Sequence, residues 1–466
     1  MKTTPTLFDI ADTVVTRPRG QRVAQVVTEA TEEDVTGVAG IALFGELLDH
    51  LGLVEAADRR NLRPIGPGGY TGGECYRPIV ELQLAGGDFL SDVSLLGDEA
   101  TQRLRGSHAL PSHTTLYRFV AGADLGRVSK AMATNRDMLR RAWAMGAAPA
   151  PGVLTIGPDA TYVTTYGKLK EGSTFSYKHE VQMSPLVGVV GETGDVLALR
   201  ARGGNASPRR NLASFVTECV AAIPKEARPC YQLWIRVDSA GFSEAVVDAA
   251  TKHSAIFSIT CVQNKRVRRA IEALATDPTT TWVPAKEPGN EIIGSEVAET
   301  TYRFGKRDLR LIVRRQRKAT GEQLSFDDLG GFRFFALITN MPSIFATAVT
   351  VEHHHRLRGG PPEEAIRQLT EDFGMNHAPV QNFFGNWVWW LAATLAYNVA
   401  RWVRVLALPE PFRTCRGKRA RTSFLNVPAR VVRSARRLHL RLPRAYRHAD
   451  AFIAALGKLR ALPTFA

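Results

Sequence analysis

A chain of 466 residues, 44% hydrophobic and 23% charged, has the makeup of a folded protein of several structural units, with enough length for a large core. Its 60 Lys and Arg against 45 Asp and Glu leave a formal charge of +15, which favours a polyanionic partner, either nucleic acid or an anionic membrane surface. The five cysteines are odd in number, scattered and without a Cys-x-x-Cys pair, which argues against a disulfide framework or a zinc ribbon and suits a reducing compartment.

Residues 1–35 are polar, with Arg17, Arg19 and Arg22 close together, and read as a loose arm or a pairing strand. The N-terminus has no apolar segment of signal-peptide type, so none is expected. Apolar residues then recur at helical spacing from Gly37 to Leu53 (Ile41, Phe44, Leu47, Leu48, Leu51). A Gly/Pro-rich loop at 64–73 precedes a helix over Arg77 to Ala85 and another over Asp88 to Leu96. Pro111 to Phe119 reads as a helix with a hydroxyl cap at its start, and Leu125 to Met145 as a long basic helix. Gly146-Ala-Ala-Pro-Ala-Pro-Gly152 is the clearest linker.

After it the period changes. Strands are predicted over Leu154–Val163, Lys178–Val190 and Gly194–Arg202, the last two joined by a turn at Glu192-Thr-Gly194. A helix over Arg210–Ile223, a strand over Gln232–Val237, a helix over Ser243–Lys252 and a strand over Ala255–Val262 follow, giving the order β-β-β-α-β-α-β. Residues 264–331 break the rhythm with a short helix and two basic strands, and read as a β-rich insertion. Phe332–Thr339 is a strand returning to the core. The segment to Gly374 is polar and helical after Pro361-Pro362, which suit a helix start. The apolar run Phe383–Leu408 contains Asn386, Asn398, Arg401 and Arg404; a buried helix is expected there rather than a membrane span. Between Arg413 and Arg447 there are twelve Lys or Arg and no acid, a segment that either binds backbone phosphates or is a solvated charge run.

Three acids stand out in this order. Asp159 and Asp238 each end an apolar strand, and Glu363 opens a helix far downstream. Magnesium prefers oxygen ligands, and two ions a few ångströms apart stabilise both the attacking and the leaving oxygen in phosphoryl transfer, so three converging carboxylates would suit that chemistry. Blander roles exist for two of them: Asp238 before Ser-Ala-Gly as a helix cap, and Glu363 as an acid favoured by the helix dipole. The run His353-His354-His355 could ligate metal, but consecutive side chains of a regular element cannot all face one way. Trp387, Trp389 and Trp390 could stack on bases; their apolar setting points to core.

The segments Asp159-Ala-Thr161, Arg236-Val-Asp238-Ser-Ala-Gly241 and Val351-Glu-His-His-His-Arg-Leu-Arg358 resemble those of the bacterial insertion-sequence DDE transposases, group 1. The resemblance continues in Arg202-Gly-Gly-Asn-Ala206, Thr339-Asn340, Trp387 to Leu408, Val427-Pro-Ala-Arg430 and Leu438-His-Leu-Arg-Leu442, and spans most of residues 80–445. It implies an α/β fold: an RNase H-like mixed sheet core of strand order 3-2-1-4-5, with a helical N-terminal domain and a β-rich insertion before the last acidic residue. The implied divisions are a helical basic DNA-binding region at 1–147, the first part of the catalytic core at 153–263, the insertion at 264–331, the second part of the core at 332–410 and a basic tail at 411–466.

The implied function is that of a DNA transposase, which binds its element's terminal inverted repeats and performs metal-dependent strand cleavage and strand transfer. The alternatives are a metal-dependent nuclease without joining, or an inactive transposase-derived DNA-binding protein. Asp159, Asp238 and Glu363 would be both the catalytic and the metal-binding residues, with two Mg²⁺ (or Mn²⁺) per active site. Arg358, Lys178, Arg367, His355 and Arg430 would contact DNA. The implied partners are double-stranded DNA, as terminal repeats and target, and a second copy of the chain in a homodimer on DNA; no membrane partner is implied, and the expected location is the bacterial cytoplasm, at the nucleoid. Three positions depart from the family pattern: His355 stands where Tyr is expected, Thr370 near a Lys position, and Gly157 in place of an acid. The spacing from Arg358 to Glu363 is one residue longer than in relatives, which leaves Glu364 open as the third ligand.

Overall fold

Strand Leu186–Val190 is wholly buried, and Gly188 within it lets the helix Leu212–Ala222 lie on its backbone: a Cβ at Gly188 would come within 2.2 Å of Cys219 Sγ. Such two-sided burial marks the centre of a sheet. The structure, a computed structural model, describes residues 33–63, 69–167, 169–175, 179–286, 294–318 and 331–465. The predicted N-terminal arm therefore lies outside the described residues, apart from its last few positions.

The main sheet has nine strands: β1 (Gly152–Ala160), β2 (Leu186–Val190), β3 (Val196–Arg200), β4 (Tyr231–Val237), β5 (Ile256–Thr260), β6 (Val283–Pro284), β7 (Ser295–Phe304), β8 (Arg307–Arg317) and β9 (Phe332–Thr339). Their order is β6-β7-β8-β9-β5-β4-β1-β2-β3. β1, β4 and β5 are parallel, whereas β2 is antiparallel to β1 and β3 to β2. The half β3-β2-β1-β4-β5 is the RNase H-like order expected from the sequence. The insertion is β-rich as read, and its strands do not make a sheet of their own. β9 pairs with β5 through Leu337 and Thr260, so β8 and β7 continue the central sheet outward.

One predicted strand is broken. The run from Lys178 to Val190 divides at Ser184-Pro185, where proline has no N–H to give a ladder. Val181–Met183 instead joins Val163–Thr164 and Thr174–Phe175 in a small three-stranded sheet.

Helices α1 (Ile41–His50), α2 (Gly72–Ala85) and α3 (Leu125–Ala142) precede the sheet, and α2 begins with a capping box between Thr71 and Glu74. The predicted cap at Pro111–Phe119 is present: the Ser112 hydroxyl accepts from Thr115 N–H at the start of His113–Ala121. Further along the chain lie α4 (Leu212–Ala222), α5 (Glu244–Lys252), α6 (Ala348–Arg356), α7 (Pro361–Asp372) and the long α8 (Phe383–Leu406). α8 is buried around its whole circumference, as an all-round apolar helix should be. Trp389 and Trp390 are fully buried, and the indoles of Trp387, Trp389 and Trp390 donate to Leu199, Gly374 and His377 carbonyls, so these rings are core. Asn398 of α8 accepts from Val196 N–H and donates to Val196 C=O, both at 2.9 Å, and so occupies the outer edge of β3. Among the described residues no helix is long and apolar enough to cross a membrane.

The basic segment near the C-terminus is folded. Ala429–Ser434 and Arg437–Arg441 form a hairpin that also pairs with Val35–Thr36, and the helix Ala449–Arg460 follows.

Candidate active site

β1 and β4 run side by side with Ile156 opposite Ile235. Three residues further along each strand stand Asp159 and Asp238, so the two carboxylates share one register position at the same end of adjacent strands. Asp159 still pairs with Val187 of β2, whereas Asp238 ends β4 and caps the turn Ser239–Gly241 through a 2.9 Å bond from Ala240 N–H. Capping uses one lone pair of Asp238 and leaves its other oxygen available.

Glu363 stands in the first turn of α7. The helix starts at Pro361-Pro362, and the Pro362 ring lies 3.4 Å from where a Cβ of Gly157 would be. The first turn of α7 thus lies close over β1 at Gly157, at a spacing where a Cβ would still fit and a longer acidic side chain in that direction would meet the ring. The Asp159 carboxyl is pushed up to about 6, first by burial and then by Asp238; Arg358 and the Ala160 N–H oppose the rise, and Glu363 adds to it. Arg358 Nη1 is 3.6 Å from Asp159 Oδ2, too long for a hydrogen bond.

Glu364 is occupied elsewhere. Its carboxylate accepts from Arg367 Nε at 2.9 Å and from Gln368 Nε2 at 2.8 Å, along its own helix. Glu363 is exposed, and its charge is felt at Asp159. Among the described residues, no group of three or more His, Cys, Asp or Glu is gathered closely enough to hold a metal ion. The donor chemistry of Asp159, Asp238 and Glu363 nonetheless suits a hard divalent cation: all are carboxylate oxygens, and they repel one another when charged.

The histidine run positions the elements around these acids. His354 Nε2 lies 3.1 Å from Thr155 Oγ1 of β1, its ring centroid is 4.0 Å from that of Trp234, and its backbone carbonyl accepts from Arg236 Nη1 at 2.7 Å. His355 is buried and uses both nitrogens, Nε2 with Thr260 Oγ1 at 2.8 Å and Nδ1 with Ser258 Oγ at 2.9 Å. Burial, then Arg236 and His353, bring His354 down to about 4, and burial, then Arg358 and Arg236, bring His355 to about 3. Both rings are therefore neutral at pH 7 and fasten α6 to β1 and β5, a placement that suits packing rather than phosphate contact. Just beyond α6, the turn Leu357–Gly359 delivers Arg358 to Asp159.

The remaining sequence-predicted contacts are dispersed. Arg367 is exposed and paired with Glu364, Arg430 is exposed on the hairpin, and Lys178 lies outside the described residues. Arg236 and His354 escaped the sequence-based list. Arg236 is buried, and burial lowers it to about 10; its alternation with Ile235 and Val237 along β4 places it on the face that α6 covers.

The sheet order and its helices are those of the RNase H-like fold of DDE transposases. The sequence pattern described as Transposase DDE domain group 1 matches residues 21–464, and the chain belongs to that family. No curated protein matches it. A solved structure that aligns with it is a synaptic complex of piggyBac transposase with hairpin DNA, at 11% identity over 82% of this chain and 78% of that one, with a TM-score of 0.40.

Proposed function

We propose that the chain is a DNA transposase that binds terminal inverted repeats, cleaves a strand at each end and joins the freed 3′-OH to target DNA, with Asp159, Asp238 and Glu363 as its catalytic acids. The observation that carries the reading is the shared register of Asp159 and Asp238, together with the raised Asp159 carboxyl. Charged groups held together against their own repulsion are a mark of function rather than of stability. Membership of the DDE transposase family and the net charge of +15 support the DNA substrate.

Bound by these carboxylates, two Mg²⁺ or Mn²⁺ ions would supply the positive charge that stabilises the attacking and leaving oxygens of the phosphodiester. Asp159, Asp238 and Glu363 would hold the ions through their carboxylate oxygens. Arg358 holds its guanidinium at Asp159 in the free protein; with the carboxylate neutralised, it can turn to the scissile phosphate, whose oxygens match its fork. In the first step water attacks phosphorus and the bond to the 3′ oxygen breaks, leaving a 3′-OH and a 5′-phosphate. In the second that 3′-OH attacks phosphorus of a target phosphodiester, the new P–O bond forms as the bond to the target's 3′ oxygen breaks, and the target strand is left with a free 3′-OH. A cavity of about 350 Å³ beside Glu363 and Arg358, floored by Leu337 and Ala336, gives room for part of the substrate. The working form would be a homodimer pairing two ends on DNA at the nucleoid.

The test uses pre-cleaved end DNA with Mg²⁺ or Mn²⁺. Joined product from the intact protein, and none from Asp159→Asn, is the expected outcome. Hydrolysis without joined product would make it a nuclease, and undiminished joining by Asp159→Asn would overturn the site.

A further inference from the structure

The helix Lys265–Thr276 leaves the main sheet at the end where the acids stand. Val237 of β4 pairs with Ile259 of β5, so Thr260 is level with Asp238. The chain then holds to β9: Cys261 N–H donates to Ala336 C=O at 2.8 Å, and Gln263 Nε2 donates to Phe334 C=O at 2.7 Å. Phe335, between those two carbonyls, lines the cavity beside Glu363 and Arg358. Fully extended, the chain from Thr260 to Lys265 spans at most about 18 Å, and adjacent strands lie about 4.8 Å apart. The start of the helix is therefore within about 23 Å of Asp238, less than the roughly 34 Å of one DNA turn.

The two faces of this helix are unlike. Val267, Ile271 and Leu274 are buried, at the spacing of one apolar stripe. Lys265, Arg266 and Arg269 are exposed. At about 100° per residue, Lys265 and Arg269 fall on the side opposite that stripe, with Arg266 on its flank. No acid stands in the first turn. Among the described residues these three cations make no ion pair with a carboxylate, whereas Arg268, on the other flank, interacts within the chain. Their placement works against the helix. Its N-terminal end carries partial positive charge, and Arg269 has like-charged neighbours four residues back at Lys265 and three back at Arg266. The helix end itself needs no anion, because the Asn264 side chain accepts from the N–H groups of Arg266 and Val267 at 3.0 and 3.1 Å. The unmet charge is on the side chains.

We propose that the exposed face formed by Lys265, Arg266 and Arg269 is a docking surface for the phosphate backbone of duplex DNA, within one turn of the duplex from the catalytic acids and separate from them. The proposal rests on the DNA-binding reading above and adds the surface and the mode. From Lys265 to Arg269 the helix rises about 6 Å, close to two phosphate steps of one strand, so the three side chains can reach one stretch of backbone. Phosphate contacts of this kind fix the position of a duplex without reading its sequence.

The experiment measures the affinity of the full chain for a random-sequence DNA duplex against salt concentration. The variant Lys265→Gln/Arg266→Gln/Arg269→Gln should bind more weakly and flatten the slope of log affinity against log salt by about 2.7. Its Tm should not fall, since like charges are removed from a helix N-terminus. The pair Arg266→Lys/Arg269→Lys should keep the wild-type slope, because the salt dependence follows the number of charges. An unchanged slope in the glutamine variant would overturn the proposal and leave the face a solvated run of charge. Phosphatidylserine vesicles that displace the duplex at equal phosphate concentration would also overturn it, in favour of a membrane surface. If the wild-type chain binds no duplex, the DNA-binding reading itself fails, a result distinct from either of these.

Discussion

Two aspartates of the same sheet have opposite fates. Asp195, at the turn into β3, is fully buried and saturated: Trp143 Nε1 at 3.1 Å, Trp402 Nε1 at 2.9 Å, Thr193 Oγ1 at 3.0 Å and Arg401 Nη2 at 3.1 Å all donate to it. Asp159, at the end of β1, has one backbone donor and an arginine held off at 3.6 Å, with two further acids for company. A buried carboxylate in a structural role is surrounded by donors; one kept for chemistry is left short of them. The distinction lies in the partners, since both sit at strand ends.

The comparison can be broken most severely at Asp195. Replacing it with Ala strands Arg401 and two indole N–H groups in the interior, and should destabilise the fold by about 3–5 kcal/mol. Urea unfolding would measure the loss, and cleavage per folded molecule should persist. At the other acid the effects reverse. Asp159→Asn should cut cleavage by at least about 100-fold, equivalent to about 2.7 kcal/mol in the barrier, while its Tm at neutral pH does not fall. Asp238→Asn and Glu363→Gln should lose cleavage likewise in the same assay.

A smaller effect is expected in pH dependence. The folded Asp159 carboxyl lies at about 6, above its ordinary value of 3.8, so the folded state holds this proton more tightly than the unfolded chain. Its contribution to stability is full below 3.8 and is lost as pH rises through about 6. Unfolding midpoints taken across that window should fall in the intact protein and lose this component in Asp159→Asn. Added Mg²⁺ or Mn²⁺ should raise the intact protein's Tm mainly above pH 6, where the carboxyl is charged. The smallest change is expected for Glu364→Gln. It removes an exposed pair to Arg367, worth less than about 1 kcal/mol, and should leave cleavage intact.

Local pattern carried much of this molecule. The strand-helix order from β1 to β5, the Ser112 cap and the buried helix α8 were legible because period and capping are properties of neighbouring residues. Asp159 and Asp238 were legible as acids ending apolar strands; that they share a register became visible only with the β1–β4 pairing. That Glu364 is the more engaged of the two acids was not legible, because it turns on Gln368 and Arg367 claiming its carboxylate. Nor was the union of the insertion with the central sheet, since the pairing of Leu337 with Thr260 spans a long separation and leaves no local trace. The hairpin did leave a trace: Leu438, Leu440 and Leu442 alternate with polar residues, under a charge density that resembles a solvated run.

The way the nine-stranded sheet ends has a consequence for assembly. At one side Asn398 takes the N–H and C=O of Val196, and Trp387 donates to Leu199 C=O. At the other, β6 is only two residues long, and one of them is Pro284. A short strand with a proline, and an edge already satisfied by a helix, both resist the addition of a strand from another chain. At these described edges, pairing of two copies through a continuous intermolecular sheet is therefore disfavoured. Contact between copies is left to side-chain surfaces rather than to a shared sheet.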